Sequence, residues 1–168
     1  GSQQNRITLQ GVDYHALEIL IEYVYTSTVE VKGDNVKVLL IAANLLQLID
    51  VRDGCCDYLQ TQLDASNCLG IRDFSHTHGY VELVNCVDTY IEKHFNEVRQ
   101  FEECLNLTHE QVISLIGNDG ISVSSEEEVY ECVINWIRYD PTPREQYTAD
   151  LMKHNNRIEL IAKISSKP

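Results

Sequence analysis

The chain has 168 residues, of which 43% are hydrophobic and 23% are charged, a composition typical of a globular protein that buries a core. Its formal net charge of −13 argues against nucleic-acid and anionic-membrane partners, because both require clustered Lys and Arg. A cationic or apolar protein surface is the favoured partner, and no apolar run approaches the ~18 residues of a membrane span.

The first part of the chain predicts one helix between two short strands. Residues 7–9 form a short apolar run, and residues 29–31 alternate around Glu30 as an edge strand does. Between them, GVDYHALEILIEYVYT has helical spacing, and Asp13 can cap its N-terminus. Four apolar residues are predicted to share the buried face of this helix: Leu17, Leu20, Ile21 and Val24.

Four more helices are predicted before residue 96. We expect Asp34 to start the second, Asp50 and Ser66 to cap the third and fourth, and Gly79 to end the fourth. The fifth is predicted over residues 81–95. The apolar positions predicted to face inward are Val36, Leu39, Leu40 and Ala43, then Val51, Cys55, Tyr58, Leu59 and Leu63, then Val84, Val87, Ile91 and Phe95.

Capping motifs indicate three helix starts in the second half of the chain. They are Thr108-x-x-Gln111, Ser125-x-x-Glu128 and Thr142-Pro143. The helix after Ser125 is expected to end before Pro141. With about eight helices and short connections, the chain is predicted to be mainly α, with helical hairpins packed in series and one or two short strands.

The stretch SNCLGIRDFSHTH at residues 66–78 raises the question of a metal site. On one helix, His76 and His78 point ~200° apart, and Cys68 and His78 are ~15 Å apart along the axis. Since zinc–ligand bonds are only ~2.0–2.3 Å long, the side chains of this one helix cannot complete a zinc site. A site formed by one of these histidines and Cys86 of the next helix remains an alternative. We predict no metal and instead one buried or half-buried stripe: Cys68, Ile71, Phe74, Ser75 and His78.

The six cysteines mostly lie in apolar helical patterns, where a free thiol behaves as a small hydrophobe. No secretory signal opens the chain, which favours a reducing compartment and free thiols. In the pair Cys55-Cys56, one side chain is expected to pack inward and the other less so, because neighbours on a helix point ~100° apart. A redox sensor at this pair is the open alternative.

No catalytic or cofactor motif is present in the sequence. A nucleophile elbow, a phosphate-binding glycine loop and a zinc-protease motif are all missing. The acidic run at residues 126–128 lies in a first helical turn, where the helix dipole favours carboxylates. Trp136 is predicted to be a core residue, whereas Tyr23 and Tyr25 flank the stripe of their helix and could serve either core or interface.

Three segments resemble parts of known domains. The segment ALEILIEYVYTSTVEV, followed by NVKVLLIAANLLQLIDVRDGCCDYLQTQL, resembles the C-terminal half of a BTB domain. DASNCLGIRDFSHTHGYVELVNCVDTYIEKHF looks like the three-box linker, and FEECLNLTHEQVISLIGNDGISVSSEEEVYECVINWIRYD is similar to the first helices of a BACK domain. The resemblance divides the chain into 1–63 (BTB, after what looks like an expression scar at residues 1–2), 64–96 (three-box) and 97–168 (BACK).

This combination is identified as that of kelch-like adaptor proteins. It implies a non-catalytic substrate adaptor of a cullin-RING ubiquitin ligase in the cytoplasm, with the nucleus as the alternative location. The implied partner is the cullin, with homo-oligomer formation through the BTB domain of a full-length parent. The partner-binding residues carried over are Tyr23, Tyr25, Phe74 and His78.

The sequence also departs from the family pattern. The first half of the BTB domain, with its main dimer contacts and a hydrophobic-x-glutamate element, has no matching positions here. The run RIELI at residues 157–161 stands where the family usually has Arg-Leu-Pro-Leu-Leu, and it has no proline. A self-associating scaffold and a cytoskeleton-linked adaptor are therefore kept as alternative functions.

Overall fold

The computed structural model describes residues 11–124 and 126–154, with side chains described for residues 11–121 and 126–151. These residues form two compact units that divide between Gln62 and Leu63. Each unit has its own buried apolar core.

Every regular element in the described ranges is a helix, so the mainly α prediction is confirmed. The first unit contains α1 (Tyr14–Thr26), α2 (Val36–Leu45) and α3 (Ile49–Thr61). The second contains α4 (Cys68–Thr77), α5 (Val81–Val98), α6 (Glu102–Leu105), α7 (His109–Ile116), α8 (Asp119–Ser124), α9 (Glu126–Tyr139), α10 (Pro141–Arg144), a 3₁₀ turn (Glu145–Tyr147) and α11 (Thr148–His154).

In the first unit, α1 begins as predicted. The Asp13 carboxylate accepts the Ala16 amide at 2.9 Å, which satisfies one of the free N–H groups at the start of the helix. The buried face of α1 differs from the prediction, because Ile21 and Val24 are 58% and 64% exposed. The core of this unit consists of Ala16, Leu20, Val36, Leu39, Leu40, Ala42, Ala43, Val51, Cys55 and Leu59.

The strand predicted at residues 29–31 is wrong. The segment carries no strand, and no partner strand exists for it among the residues that the structure describes. It is held locally instead, since the Asn35 side chain donates to the Glu30 carbonyl at 3.0 Å and accepts the Lys32 amide at 2.8 Å. The strand predicted at residues 7–9 lies outside the described residues.

The start of α4 is fixed by Asp64, whereas the sequence predicted Ser66 as its cap. The Asp64 carboxylate accepts the amides of Ser66 and Asn67 at 2.8 and 3.0 Å, and the Asn67 side chain accepts the Asp64 amide at 2.9 Å. This reciprocal pattern is that of a capping box, with Asp and Asn in place of the usual residues. Hydrogen bonding by the Ser66 hydroxyl and amide lowers the pKa of Asp64 below its usual 3.8.

Three other predicted helix starts are wrong by one or two residues. The observed caps are Asn35 in place of Asp34, Leu48 in place of Asp50, and Asp140 in place of Thr142. Acidic and hydroxyl residues are favoured both at a cap and in the first turn that follows it, so composition alone does not separate these positions.

The second unit is organised around α5. Gly79 adopts φ +74° just after α4, as its predicted terminating role requires, and the chain then turns into α5. The inward positions of α5 follow helical spacing, except that Leu83 replaces the predicted Val84, which is half-buried. The buried residues of α5 are Leu83, Val87, Ile91, Phe95 and Val98.

The last helices pack around Trp136, which is 2% exposed, so its predicted core position is confirmed. Its indole N–H donates to the Leu107 carbonyl at 2.8 Å. The Arg144 guanidinium lies 4.3 Å from the Trp136 ring centroid and donates to the Leu105 and Trp136 carbonyls, each at 2.8 Å. The capping box of Thr108 is confirmed, whereas that of Ser125 lies outside the described residues.

We expect Trp136→Phe to lower the free energy of unfolding by about 2–3 kcal/mol, because it removes ring volume and leaves the Leu107 carbonyl without its donor. Urea denaturation followed by far-UV circular dichroism measures this. Tyr139→Phe is the matched control, since it removes only an exposed hydroxyl 3.3 Å from Glu102 and should change stability by less than about 0.5 kcal/mol. Equal losses in the two variants would contradict this account of the core.

Candidate functional site

A group of rings lies at the C-terminal end of α4, and we call it the aromatic cluster: Phe74, His78 and Tyr80. His78 is exposed and the other two are half-buried. The Phe74 ring centroid lies 4.8 Å from His78 and 5.9 Å from Tyr80. His78 stacks on Tyr80 with centroids 5.9 Å apart and planes inclined by 22°. Two of the predicted partner-binding residues are thus in contact, and Tyr80 joins them because the turn at Gly79 returns the chain toward α4.

The predicted stripe of α4 is confirmed in its first part only. Cys68, Ile71 and Ser75 are buried and Phe74 is half-buried, but His78 is exposed. His78 is the residue after the last helical position of α4, where α5 has only just begun and gives no cover. Phe74 and His78 therefore present an aromatic surface to solvent, which is compatible with their predicted role in binding.

A groove of about 260 Å³ runs between α4 and α7, on a different side of α4 from the aromatic cluster. Arg72 spans it, pairing with Asp88 of α5 at 2.5 Å and donating to the Ser114 hydroxyl of α7 at 3.0 Å. The Arg72 and Asp88 side chains are 13% and 19% exposed, so the pair is largely shielded from water. The groove is lined by Leu69, Arg72, Asp73, His76, Thr77, Leu107, Glu110, Gln111, Ser114 and Leu115.

A contact from α6 holds the N-terminal turn of α4 in place. The Glu103 carboxylate accepts the Gly70 amide at 2.7 Å, so a residue 33 positions later in the chain supplies an anion at the start of this helix. A Cβ at position 70 would lie 2.6 Å from the same carboxylate oxygen. A side chain at position 70 would therefore displace the Glu103 carboxylate from the amide, whereas the backbone angles of Gly70 do not themselves call for glycine.

In the first unit, α1 is apolar on two sides. Its outer face, defined by Tyr14, Ile21 and Tyr25, is 75%, 58% and 85% exposed. These residues are spaced by seven and four positions and so lie on one side of the helix. Tyr23, the fourth predicted partner-binding residue, points away from this face and is half-buried.

All six cysteines are free thiols. In the adjacent pair, Cys55 is buried and Cys56 half-buried, which confirms the predicted difference. Burial raises the pKa of Cys55 to about 11 and that of Cys68 to about 12, so neither is a reactive thiolate at neutral pH.

No group of three or more His, Cys, Asp or Glu side chains suited to a metal ion occurs in the part of the chain that the structure describes. Within that same part, no helix has both the length and the apolar character needed to span a membrane.

Comparison with known proteins decides the family. Residues 1–63 match the model of the BTB/POZ domain, and residues 68–164 match that of the BACK domain, described as "BTB And C-terminal Kelch". The chain belongs to the kelch-like family of BTB–BACK proteins. This confirms the resemblance found in the sequence.

Several curated kelch-like proteins are similar to this chain. Kelch-like protein 3 of Homo sapiens is 49% identical over 153 residues, and Kelch-like protein 2 of Homo sapiens is 48% identical over 153 residues. Each alignment covers 91% of this chain and 26% of the relative, so the chain spans about a quarter of the length of these proteins. The match to the BACK model begins at residue 68, and the predicted boundary between a three-box at 64–96 and a BACK domain at 97–168 stays a prediction.

The contact between Gly70 and Glu103 predicts that Gly70→Ala changes the free energy of unfolding in opposite directions with and without the Glu103 side chain. In the wild-type background, Gly70→Ala should destabilise the protein by about 1 kcal/mol, because losing a charge-assisted hydrogen bond outweighs the better helix propensity of alanine. In the Glu103→Ala background, the same change should stabilise it by up to about 1 kcal/mol.

Urea denaturation followed by the fluorescence of Trp136 measures all four members of this cycle. Trp136 is the single tryptophan of the chain and lies in the second unit, together with the altered contact. The same sign for Gly70→Ala in both backgrounds would show that the hydrogen bond from the Gly70 amide to Glu103 does not stabilise α4.

Proposed function

We propose that the chain is the protein-interaction module of a substrate adaptor for a cullin-RING ubiquitin ligase. The observation that carries this proposal is the presence of a BTB match and a BACK match on one chain of the kelch-like family. The partly exposed rings of the aromatic cluster and the outer face of α1 support it, since aromatic side chains are enriched at the centres of protein interfaces.

Such an adaptor performs no chemistry of its own. It holds a substrate near a ubiquitin-loaded enzyme and so converts a bimolecular encounter into an effectively intramolecular one. The protein is in this proposal not an enzyme, and it needs no metal or cofactor. Its place of action is the cytoplasm, with the nucleus as the alternative.

The cullin is the proposed partner. Tyr25 on the outer face of α1 and the aromatic cluster of α4 offer aromatic contacts, and the groove between α4 and α7 is a separate surface that can take an extended segment. Tyr23 has less exposed area than Tyr25, so its contribution is expected to be smaller. The binding of a substrate is assigned to parts of the parent protein beyond this chain.

Isothermal titration calorimetry of the purified chain against the N-terminal region of a cullin tests this proposal. We expect a dissociation constant in the micromolar range or weaker. Tyr25→Ala and Phe74→Ala should each weaken binding by about tenfold, because each removes a large aromatic contact.

Asn85→Ala is the control, since Asn85 is exposed on α5 outside the aromatic cluster and the groove. It should leave the affinity unchanged. The absence of any binding heat at high concentration would show that this chain does not bind the cullin. Equal affinities for Asn85→Ala and Tyr25→Ala would show that the assigned surface does not contact it.

A second candidate function is a self-associating scaffold. The outer face of α1 favours it, because contiguous exposed apolar side chains are covered in many proteins by a second copy. Sedimentation equilibrium should then show a dimer that dissociates on dilution, and Ile21→Glu should give a monomer. A wild-type chain that is monomeric at every concentration would exclude this function and leave the cullin proposal intact.

A further inference from the structure

Two thiols meet in the core of the second unit. Cys104 of α6 and Cys132 of α9 have their sulfur atoms 3.4 Å apart, although they are 28 residues apart in the chain. Cys104 is 2% exposed and Cys132 is 4% exposed. The sulfurs are in van der Waals contact without being bonded, so a shift of about 1.4 Å separates this arrangement from a disulfide, in which the sulfurs are about 2.05 Å apart.

The surroundings of this pair suit it for oxidation better than those of Cys55 and Cys68. The hydrogen bond with the Cys132 thiol lowers the pKa of Cys104, and the Arg99 guanidinium acts in the same direction, against the opposing effects of burial and the Glu103 carboxylate. The same hydrogen bond, together with burial, raises the pKa of Cys132. At Cys55 and Cys68, by contrast, burial dominates and raises the pKa of both thiols.

We propose that Cys104 and Cys132 form a reversible disulfide when the protein meets a hydroperoxide, which makes this pair an oxidative modification site of the second unit. The contact between the two sulfurs, supplied by two packed helices, carries the proposal. The proposed redox site is therefore a different pair from Cys55-Cys56, which the sequence analysis considered as a redox sensor.

The reaction balances with a hydroperoxide as the only oxidant. The Cys104 thiolate attacks one peroxide oxygen, the O–O bond breaks, and Cys104 becomes a sulfenic acid while water leaves with hydrogen peroxide as the oxidant. The Cys132 sulfur then attacks the Cys104 sulfur, the S–O bond breaks, and a second water leaves with the thiol proton. Overall, two thiols lose two electrons and two protons, and the peroxide is reduced to two waters.

Access to the pair requires a local opening of α6. This helix has only four residues and follows Phe101, which is 42% exposed, so it opens more readily than α5 or α9. Closing the disulfide would tie α6 to α9. Because Glu103 lies next to Cys104, the bond would also hold the carboxylate that accepts the Gly70 amide in the first turn of α4.

The test treats the purified chain with hydrogen peroxide under native conditions, blocks free thiols with iodoacetamide and maps peptides without reduction. The expected result is a peptide cross-linked through Cys104 and Cys132, lost again after dithiothreitol. The midpoint of thermal unfolding should rise by about 10 °C on oxidation, since the bond closes a loop of intermediate length.

Cys132→Ala should abolish the shift of the midpoint, whereas the matched change Cys55→Ala should retain it. If peroxide oxidises other cysteines while Cys104 and Cys132 stay unlinked, the proposal is wrong. It is equally wrong if Cys132→Ala, folded by circular dichroism, shows the same shift. If Cys132→Ala does not fold, the wild-type chain decides: the peptide cross-linked through Cys104 and Cys132 supports the proposal, and its absence after oxidation contradicts it.

Discussion

Burial of one side of α5 is the constraint on which the second unit depends. Five apolar residues of this helix, from Leu83 to Val98, are each no more than 2% exposed. Burying such a side chain is worth about 1.5–3 kcal/mol, so this stripe is the largest single contribution that the element makes. It also decides what remains outside: once Cys68, Ile71 and Ser75 of α4 face inward, Phe74 is left half-buried and His78 exposed.

Apolar burial alone does not fix how the helices are placed along one another, and a few polar contacts supply that specificity. Arg72 joins α4 to α5 and α7, and Glu103 joins α6 to the first turn of α4. Trp136 and Arg144 donate to carbonyls at the end of α6 and in the following turn. Each contact satisfies a backbone or charged group that would be costly to leave unpaired in a shielded position.

The two units differ in what they leave exposed. The second buries the apolar stripe of α5 and leaves Val81, Phe101 and Tyr139 exposed, together with the half-buried rings of the aromatic cluster and a small groove. The first keeps a compact core, yet its α1 carries apolar side chains on the outer face as well. A helix with apolar residues on two sides is typical of one that another surface covers, which is why the proposed functions both rest on protein contacts.

The sequence by itself determined the helical class, the caps at Asp13 and Thr108, the stop at Gly79, the burial of Trp136 and the family. These features depend on local spacing and on residue chemistry within one turn, which a sequence displays directly. Only the tertiary structure decided that His78 is exposed, that Tyr80 joins Phe74, and that the α4–α7 groove is spanned by Arg72. It also revealed that Glu103 binds the Gly70 amide in the first turn of α4 and that Cys104 meets Cys132. These contacts join residues from 16 to 42 positions apart, or depend on where a neighbouring helix begins, and no local pattern encodes which helices become neighbours.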